Sequence, residues 1–171
     1  GARLMNALVA KGEDPKDYGS IFDTISVCLS KGLGTPLGTV LMGSKEIMEK
    51  SIRIRKIFGG GMRQIGFMAA AGIYALDHHV DRMKEDHQRA SEIATTLNGL
   101  DYIRKVEPTE TNIVIFYLTD GIPEDRFMND LSHNNIRISS MGEGKLRIVT
   151  HLDYTSEMHD RFRDILSQYR P

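Results

Sequence analysis

The sequence predicts a mixed α/β protein, with an α/β segment over residues 1–90 and a small α+β domain over residues 91–171. Three observations lead there. Short apolar runs alternate with helix-period segments along the first part. A helix-period stretch that changes from apolar to charged crosses the middle, as in helices that link two domains. After Asn98-Gly99 the order becomes β-β-α-β-β-α, which suits a compact layer around an antiparallel sheet.

Taken in order, Leu4, Ala7, Leu8 and Ala10 give residues 3–11 a short helix, and the polar stretch 11–19 reads as a loop. Residues 23–29 read as a buried strand and 38–42 as a second. Ser44 is placed to cap a helix running to about residue 58, with Glu46 and Glu49 near its positive end. Three glycines, Gly59-Gly60-Gly61, cannot continue that helix cheaply. From residue 64 one long helix is expected, its apolar half (65–76) buried and its charged half (77–97) solvated. Strands follow at 102–106, 113–118, 136–139 and 146–150, with helices at 123–131 and 156–169. The boundary between the two domains is expected near residue 90.

Hydrophobic residues make up 40% and charged residues 26% of the 171, with a net charge of −1. Near-neutrality argues against nucleic-acid binding, which needs a basic surplus. No apolar run is long enough for a membrane helix. The single cysteine, Cys28, excludes an intrachain disulfide and fits a reducing cytoplasm. The chain starts on Gly1 as if a strand ran straight into a helix, which reads as a beginning inside a domain and makes the chain a fragment.

Lys31 is the leading chemical candidate. It ends an apolar, strand-like run, and three glycines and a proline follow within seven residues. A lysine at the rim of a buried strand would lose the water that stabilises its charge, favouring the neutral amine that attacks carbonyls. Schiff-base chemistry, above all with pyridoxal phosphate, is one reading. A surface lysine in a glycine turn is the other. Arg147 interrupts the apolar run Leu146, Ile148, Val149 and so faces away from Leu146 and Ile148. His78 and His79 diverge by about 100° on a helix, which argues against a shared metal ion. Cys28, in an apolar strand, is expected to be an inert thiol.

Four blocks carry a resemblance that spans nearly the whole chain. They are Gly-Ala-Arg-Leu at 1–4, Ser-Val-Cys-Leu-Ser-Lys-Gly-Leu-Gly-Thr-Pro-Leu-Gly at 26–38, Arg-Lys-Ile-Phe-Gly-Gly-Gly-Met-Arg-Gln at 55–64, and Leu-Arg-Ile-Val-Thr-His-Leu-Asp at 146–153. In these the chain resembles the C-terminal half of the low-specificity threonine aldolases, pyridoxal-phosphate enzymes of fold type I. The resemblance implies that residues 1–90 are the end of the fold type I large domain and residues 91–171 its small C-terminal domain. It implies that Lys31 joins the cofactor covalently and that Arg147 and Arg3 hold the substrate carboxylate. Arg63 would reach cofactor or substrate across a dimer interface, and Lys56 would be a further basic group near the site. A planar guanidinium grips a carboxylate through two parallel hydrogen bonds, which suits the arginine roles.

In that family an aspartate stands directly before the position of Gly1, and a stacking histidine and the phosphate cradle lie further upstream. None of these is in the chain. The partners expected are therefore a β-hydroxy amino acid, the complementary N-terminal half, and further copies in a homodimer or homotetramer, with no nucleic acid and no membrane. A different pyridoxal-phosphate reaction (β-elimination, transamination or hydroxymethyl transfer) and a non-catalytic interaction module are the alternatives.

Overall fold

The computed structural model describes every residue from Gly1 to Pro171. The chain divides into two compact units, Gly1–Met83 and Lys84–Pro171. The division falls earlier than the position near residue 90 read from the sequence.

In the first unit, α1 (Leu4–Lys11) is followed by α2 (Pro15–Ile21), a short helix where the sequence reading expected a loop. The signal was present: the Asp14 carboxylate accepts the Lys16 amide at 2.9 Å, and Pro15 occupies the first helical position. Strands β1 (Thr24–Cys28) and β2 (Thr39–Gly43) pair antiparallel, from Thr24 opposite Gly43 to Cys28 opposite Thr39. Only Val27 of this ribbon is buried, so the expected buried strand is instead one side of an open hairpin.

Helix α3 (Lys45–Ile57) starts where predicted, with Ser44 Oγ accepting the Ile47 amide at 3.4 Å. It ends at the triple glycine. Gly59 takes a φ of 77°, its amide donates to the Lys56 carbonyl, and the Gly60 amide donates to the Arg55 carbonyl. This is a Schellman cap, whose left-handed residue is cheapest as glycine.

The long helix expected from residue 64 is two helices, α4 (Gly66–His78) and α5 (Met83–Asn98). The chain turns between them, and Val80 and Met83 pack with Leu29, Leu33 and Ala75. His79 gives its Nδ1 to the Leu33 carbonyl at 2.7 Å. Burial and that bond outweigh helix continuity. The burial expected for the apolar half is also corrected, because in α4 only Gly72 and Ala75 are buried. The charged half is not simply solvated either: Ala90, Ile93, Ala94 and Leu97 of α5 are buried.

The second unit has the predicted order: β3 (Ile103–Val106), β4 (Ile113–Leu118), α6 (Glu124–His133), β5 (Ser139–Ser140), β6 (Lys145–Val149) and α7 (Ser156–Gln168). Its sheet is antiparallel throughout, in the spatial order β3-β4-β6-β5. Strands β4 and β6 alternate between half-buried and buried residues. Their inner members, Val114, Phe116, Leu118, Leu146 and Ile148, form one core with Ala90, Ile93 and Leu97 of α5, Phe127 and Leu131 of α6, and Phe162 and Leu166 of α7. The helices therefore cover one face of the sheet. β5 is only two residues long, where a four-residue strand was read, so β6 has a partner on that side only at Leu146 and Arg147.

A buried polar clamp fixes the far end of β6. The Thr150 amide donates to the Asn112 carbonyl, Asn112 Nδ2 donates to the Thr150 carbonyl at 2.7 Å, and Thr150 Oγ1 donates to the Asp86 carbonyl at 2.7 Å. Buried polar groups are tolerated when paired in this way, and the three bonds hold the register of β6.

Candidate active site

Lys31 sits on the bend that follows β1, and the loop around it is closed by its own backbone. The Leu29 amide donates to the Gly38 carbonyl at 2.9 Å and the Thr35 amide to the Leu29 carbonyl at 3.2 Å. The Gly34 amide donates to the Lys31 carbonyl at 2.8 Å, and the buried Thr35 gives its hydroxyl to the Leu37 carbonyl at 3.0 Å. These bonds turn Lys31 outward, and its side chain is exposed. The desolvation that its sequence setting suggested is thus not provided by this chain.

Gly32 explains part of the glycine pattern. A Cβ there would lie 2.5 Å from Asn6 Nδ2 and 3.2 Å from Met83 Cε, so the loop packs directly on α1. Asn6 is buried, although nothing in the sequence reading singled it out. His79 is the other support that was missed, reaching the loop at Leu33, two residues past Lys31. The sequence reading placed it inside one long helix, in the half expected to be solvated.

Arg3 stands immediately before α1. It lines a small cavity with Gly1, Cys28, Gly32 and Met83, so the Lys31 loop and Arg3 share one corner of the first unit. Arg3 is half-buried and already engaged within the chain. Cys28 borders the same cavity and is half-buried, so burial does not dominate its pKa. A hydrogen bond from Ser30, 3.3 Å away, holds the Cys28 thiol below its ordinary pKa, and the Lys31 ammonium acts in the same direction.

Lys56 and Arg63 flank the triple-glycine loop. Lys56 is in the last turn of α3, and its Cδ lies so near Gly61 that a Cβ there would meet it at 2.9 Å. Arg63 is in the turn before α4 and is exposed.

Arg147 is on β6 in the second unit, opposite Ile115 of β4 and Ser139 of β5. It belongs to the face of the sheet that the unit's own helices leave uncovered, as the alternation Leu146, Arg147, Ile148 requires. Its Nε is fully buried and has no hydrogen-bond partner. A buried, unpaired guanidinium nitrogen is costly, and a carboxylate is the group whose geometry it matches. The residues present suit pyridoxal phosphate and an amino-acid substrate: a solvent-facing primary amine on a braced loop, and an arginine lacking an acceptor. Grouped His, Cys, Asp and Glu side chains suited to a metal ion do not occur.

The beta-eliminating lyase family matches residues 1–120. The chain is 38% identical over 163 residues to low-specificity L-threonine aldolase 1 of Arabidopsis thaliana, covering 93% of the chain and 46% of that protein. It is 40% identical over 160 residues to low specificity L-threonine aldolase of Escherichia coli K12, covering 92% of the chain and 46% of that protein. The chain spans about half the length of the relatives it matches. Among solved structures, a putative L-allo-threonine aldolase from Listeria monocytogenes has the same fold over 98% of the chain and 50% of its own, with a TM-score of 0.80 at 16% identity. A putative aromatic amino acid beta-eliminating lyase/threonine aldolase from Exiguobacterium has a TM-score of 0.79 at 19% identity over 98% of the chain and 51% of its own. With histidinol-phosphate aminotransferase of Clostridium acetobutylicum also similar at a TM-score of 0.64, the architecture is that of fold type I. The chain therefore belongs to the beta-eliminating lyase family, whose members are pyridoxal-phosphate-dependent lyases.

Proposed function

We propose that the complete protein cleaves β-hydroxy-α-amino acids such as L-threonine and L-allo-threonine to glycine and an aldehyde. What carries this reading is Lys31, displayed on a loop braced by Asn6, Thr35 and His79, in a chain whose relatives are named low-specificity threonine aldolases.

Lys31 would hold pyridoxal phosphate through its Nζ, and Arg63 would add a cationic contact. Bound there, the cofactor supplies an electron sink for the pair released as Cα–Cβ breaks. The remaining work falls to the chain's own side chains. Arg147 binds the substrate carboxylate through its unpaired edge, which fixes the direction of the amino acid at the site. Arg3, in the same corner as the lysine loop, is assigned to carboxylate binding on the resemblance, and Lys56 stands beside the glycine loop as a further cation.

The first unit exposes a broad apolar surface, including Phe58, Phe67, Ile57 and Ile73. Surfaces of that kind mark protein contacts. We assign this one to the complementary N-terminal half and to a second copy in a homodimer or homotetramer. None of the helices is long and apolar enough to cross a membrane. A lone cysteine suits a reducing cytoplasm.

The decisive experiment is borohydride reduction of the complete protein with pyridoxal phosphate, followed by peptide mapping, alongside assay of acetaldehyde and glycine release from threonine. The expected outcome is covalent label on Lys31 together with aldehyde production. Label on another lysine, or keto-acid formation without aldehyde, would overturn the assignment.

A further inference from the structure

A cavity of about 330 Å³ in the second unit has neither the Lys31 loop nor Arg147 in its lining. It lies between α7 and the segment 134–138 that leads into β5, beside the last residues of β6. It exists because β5 is so short: past Arg147 the edge of β6 has no paired strand, and Ile148, Val149 and Thr150 border an open space. Ile148 belongs to the helix-covered face, the opposite face from Arg147.

The lining is chemically one-sided. Ile136, Ile138, Ile148 and Phe162 give it an apolar interior, and Met158, which is 54% exposed, forms part of its wall. Arg137 and Arg161 supply positive charge, and no aspartate or glutamate lines the cavity. Arg161 donates from Nη2 to the Asn134 carbonyl at 3.3 Å, which draws its guanidinium along the rim. Asp153 Oδ2 lies 3.8 Å from His151 Nδ1, outside the lining. Two arginines over an apolar floor favour a ligand with an anionic head and a hydrocarbon body. The volume is at the small end of the range for ligand pockets, about 300–1,000 Å³.

We propose that this cavity is a binding site for a small organic acid with an apolar body, its carboxylate held between Arg137 and Arg161 and its hydrocarbon part on Ile136, Ile148 and Phe162. The site is independent of aldol cleavage and stands whether or not that activity is found.

The test uses the complete protein carrying ¹³C-methyl methionine, because the Met158 methyl reports on the cavity directly. Benzoate is the probe and benzamide its neutral counterpart. The expected result is a saturable shift of the Met158 methyl with benzoate and none with benzamide. In the double variant Arg137→Gln/Arg161→Gln the benzoate affinity should fall about tenfold or more. An Arg147→Lys variant should leave the Met158 response unchanged, which separates this site from carboxylate binding on the other face. A Met158 methyl that benzoate leaves unmoved, or that benzamide moves equally, would overturn the proposal. So would an undiminished response in the double variant.

Discussion

In the second unit fourteen buried residues, from Ala90 to Leu166, close into one core between a sheet and three helices. In the first unit the buried cluster is Leu29, Leu33, Ala75 and Met83, while Phe58, Phe67, Ile57 and Ile73 are 84, 79, 69 and 62% exposed. Both units have ample apolar residues, so composition does not separate them. What separates them is what each can cover by itself. The arginine proposed to bind the carboxylate is on the self-sufficient unit, and the lysine proposed to carry the chemistry is on the unit that leaves large apolar side chains exposed. On that proposal the arginine is held by a preformed sheet, whereas Lys31 is exposed and this chain supplies no surface that desolvates it.

The largest effect should come from the first unit's lysine. Lys31→Ala in the complete protein is expected to abolish covalent capture of the cofactor and to lower kcat by on the order of 10⁴-fold or more, as loss of a covalent nucleophile does elsewhere. Absorbance of the bound cofactor and steady-state assay of aldehyde release measure both. Retention of activity within about tenfold would place the chemistry on another residue.

Packing gives the next effect and tests the contrast itself. Phe127, fully buried in the second unit's core, should cost about 3–5 kcal/mol when cut to alanine. Phe67→Ala in the isolated chain should stay within about 0.5 kcal/mol, since that side chain is 79% exposed. In the complete protein Phe67→Ala should cost several times more than in the isolated chain, because its face is then covered. Denaturant unfolding of both variants in both backgrounds decides it. Equal Phe67→Ala penalties in the two backgrounds would remove the reason for reading that face as an interface.

Arg147→Lys ranks third. A lysine keeps the charge but loses the paired donors of the guanidinium, so kcat/KM for threonine should fall about ten- to a hundredfold, mostly through KM. A matching fall in kcat with KM unchanged would instead indicate a role confined to the transition state.

Elements with a strong local signal were legible in the sequence. Ser44 with Glu46 marked the start of α3, and alternation in residues 113–118 and 146–149 gave both the strands and the outward turn of Arg147. The resemblance blocks led to the family that the comparisons show. What was not legible depends on contacts distant in sequence. The break after α4 is made by His79 reaching back to Leu33 and by Met83 packing on Leu29 and Leu33, and no window around residue 80 contains those partners. The burial expected of α4 failed because apolarity states what a helix would cover, while this chain lacks the surface to cover it. Burial is not the main influence on the Cys28 thiol, for a local reason: Ser30 is two residues away, but only the turn brings its hydroxyl to the sulfur.

The smallest effect lies within the second unit and is visible only against pH. His159 is buried at 5% exposure, its Nε2 2.8 Å from the Glu92 carboxylate and its Nδ1 3.3 Å from the Tyr154 hydroxyl. The Gln88 amide and then the His159 ring hold the Glu92 carboxyl below its ordinary value. A carboxyl lowered on folding stabilises the native state above its unfolded pKa, and that contribution is lost as pH falls through the lower folded value. The wild-type melting temperature should therefore drop more steeply on acidification than that of Glu92→Gln, and the two curves should converge at the acid end. At neutral pH the difference should be below about 1 kcal/mol, because the carboxylate is 37% exposed and screened by solvent. The first unit offers a contrast: Glu46 pairs with Lys50 at 2.7 Å, but both side chains are more than 70% exposed, so Glu46→Gln should change stability by less than about 0.5 kcal/mol. If Glu46→Gln and Glu92→Gln flatten the profile equally, net charge rather than the His159 contact sets the acid response. The distinction between a closed unit and an open one would then not extend to their ion pairs.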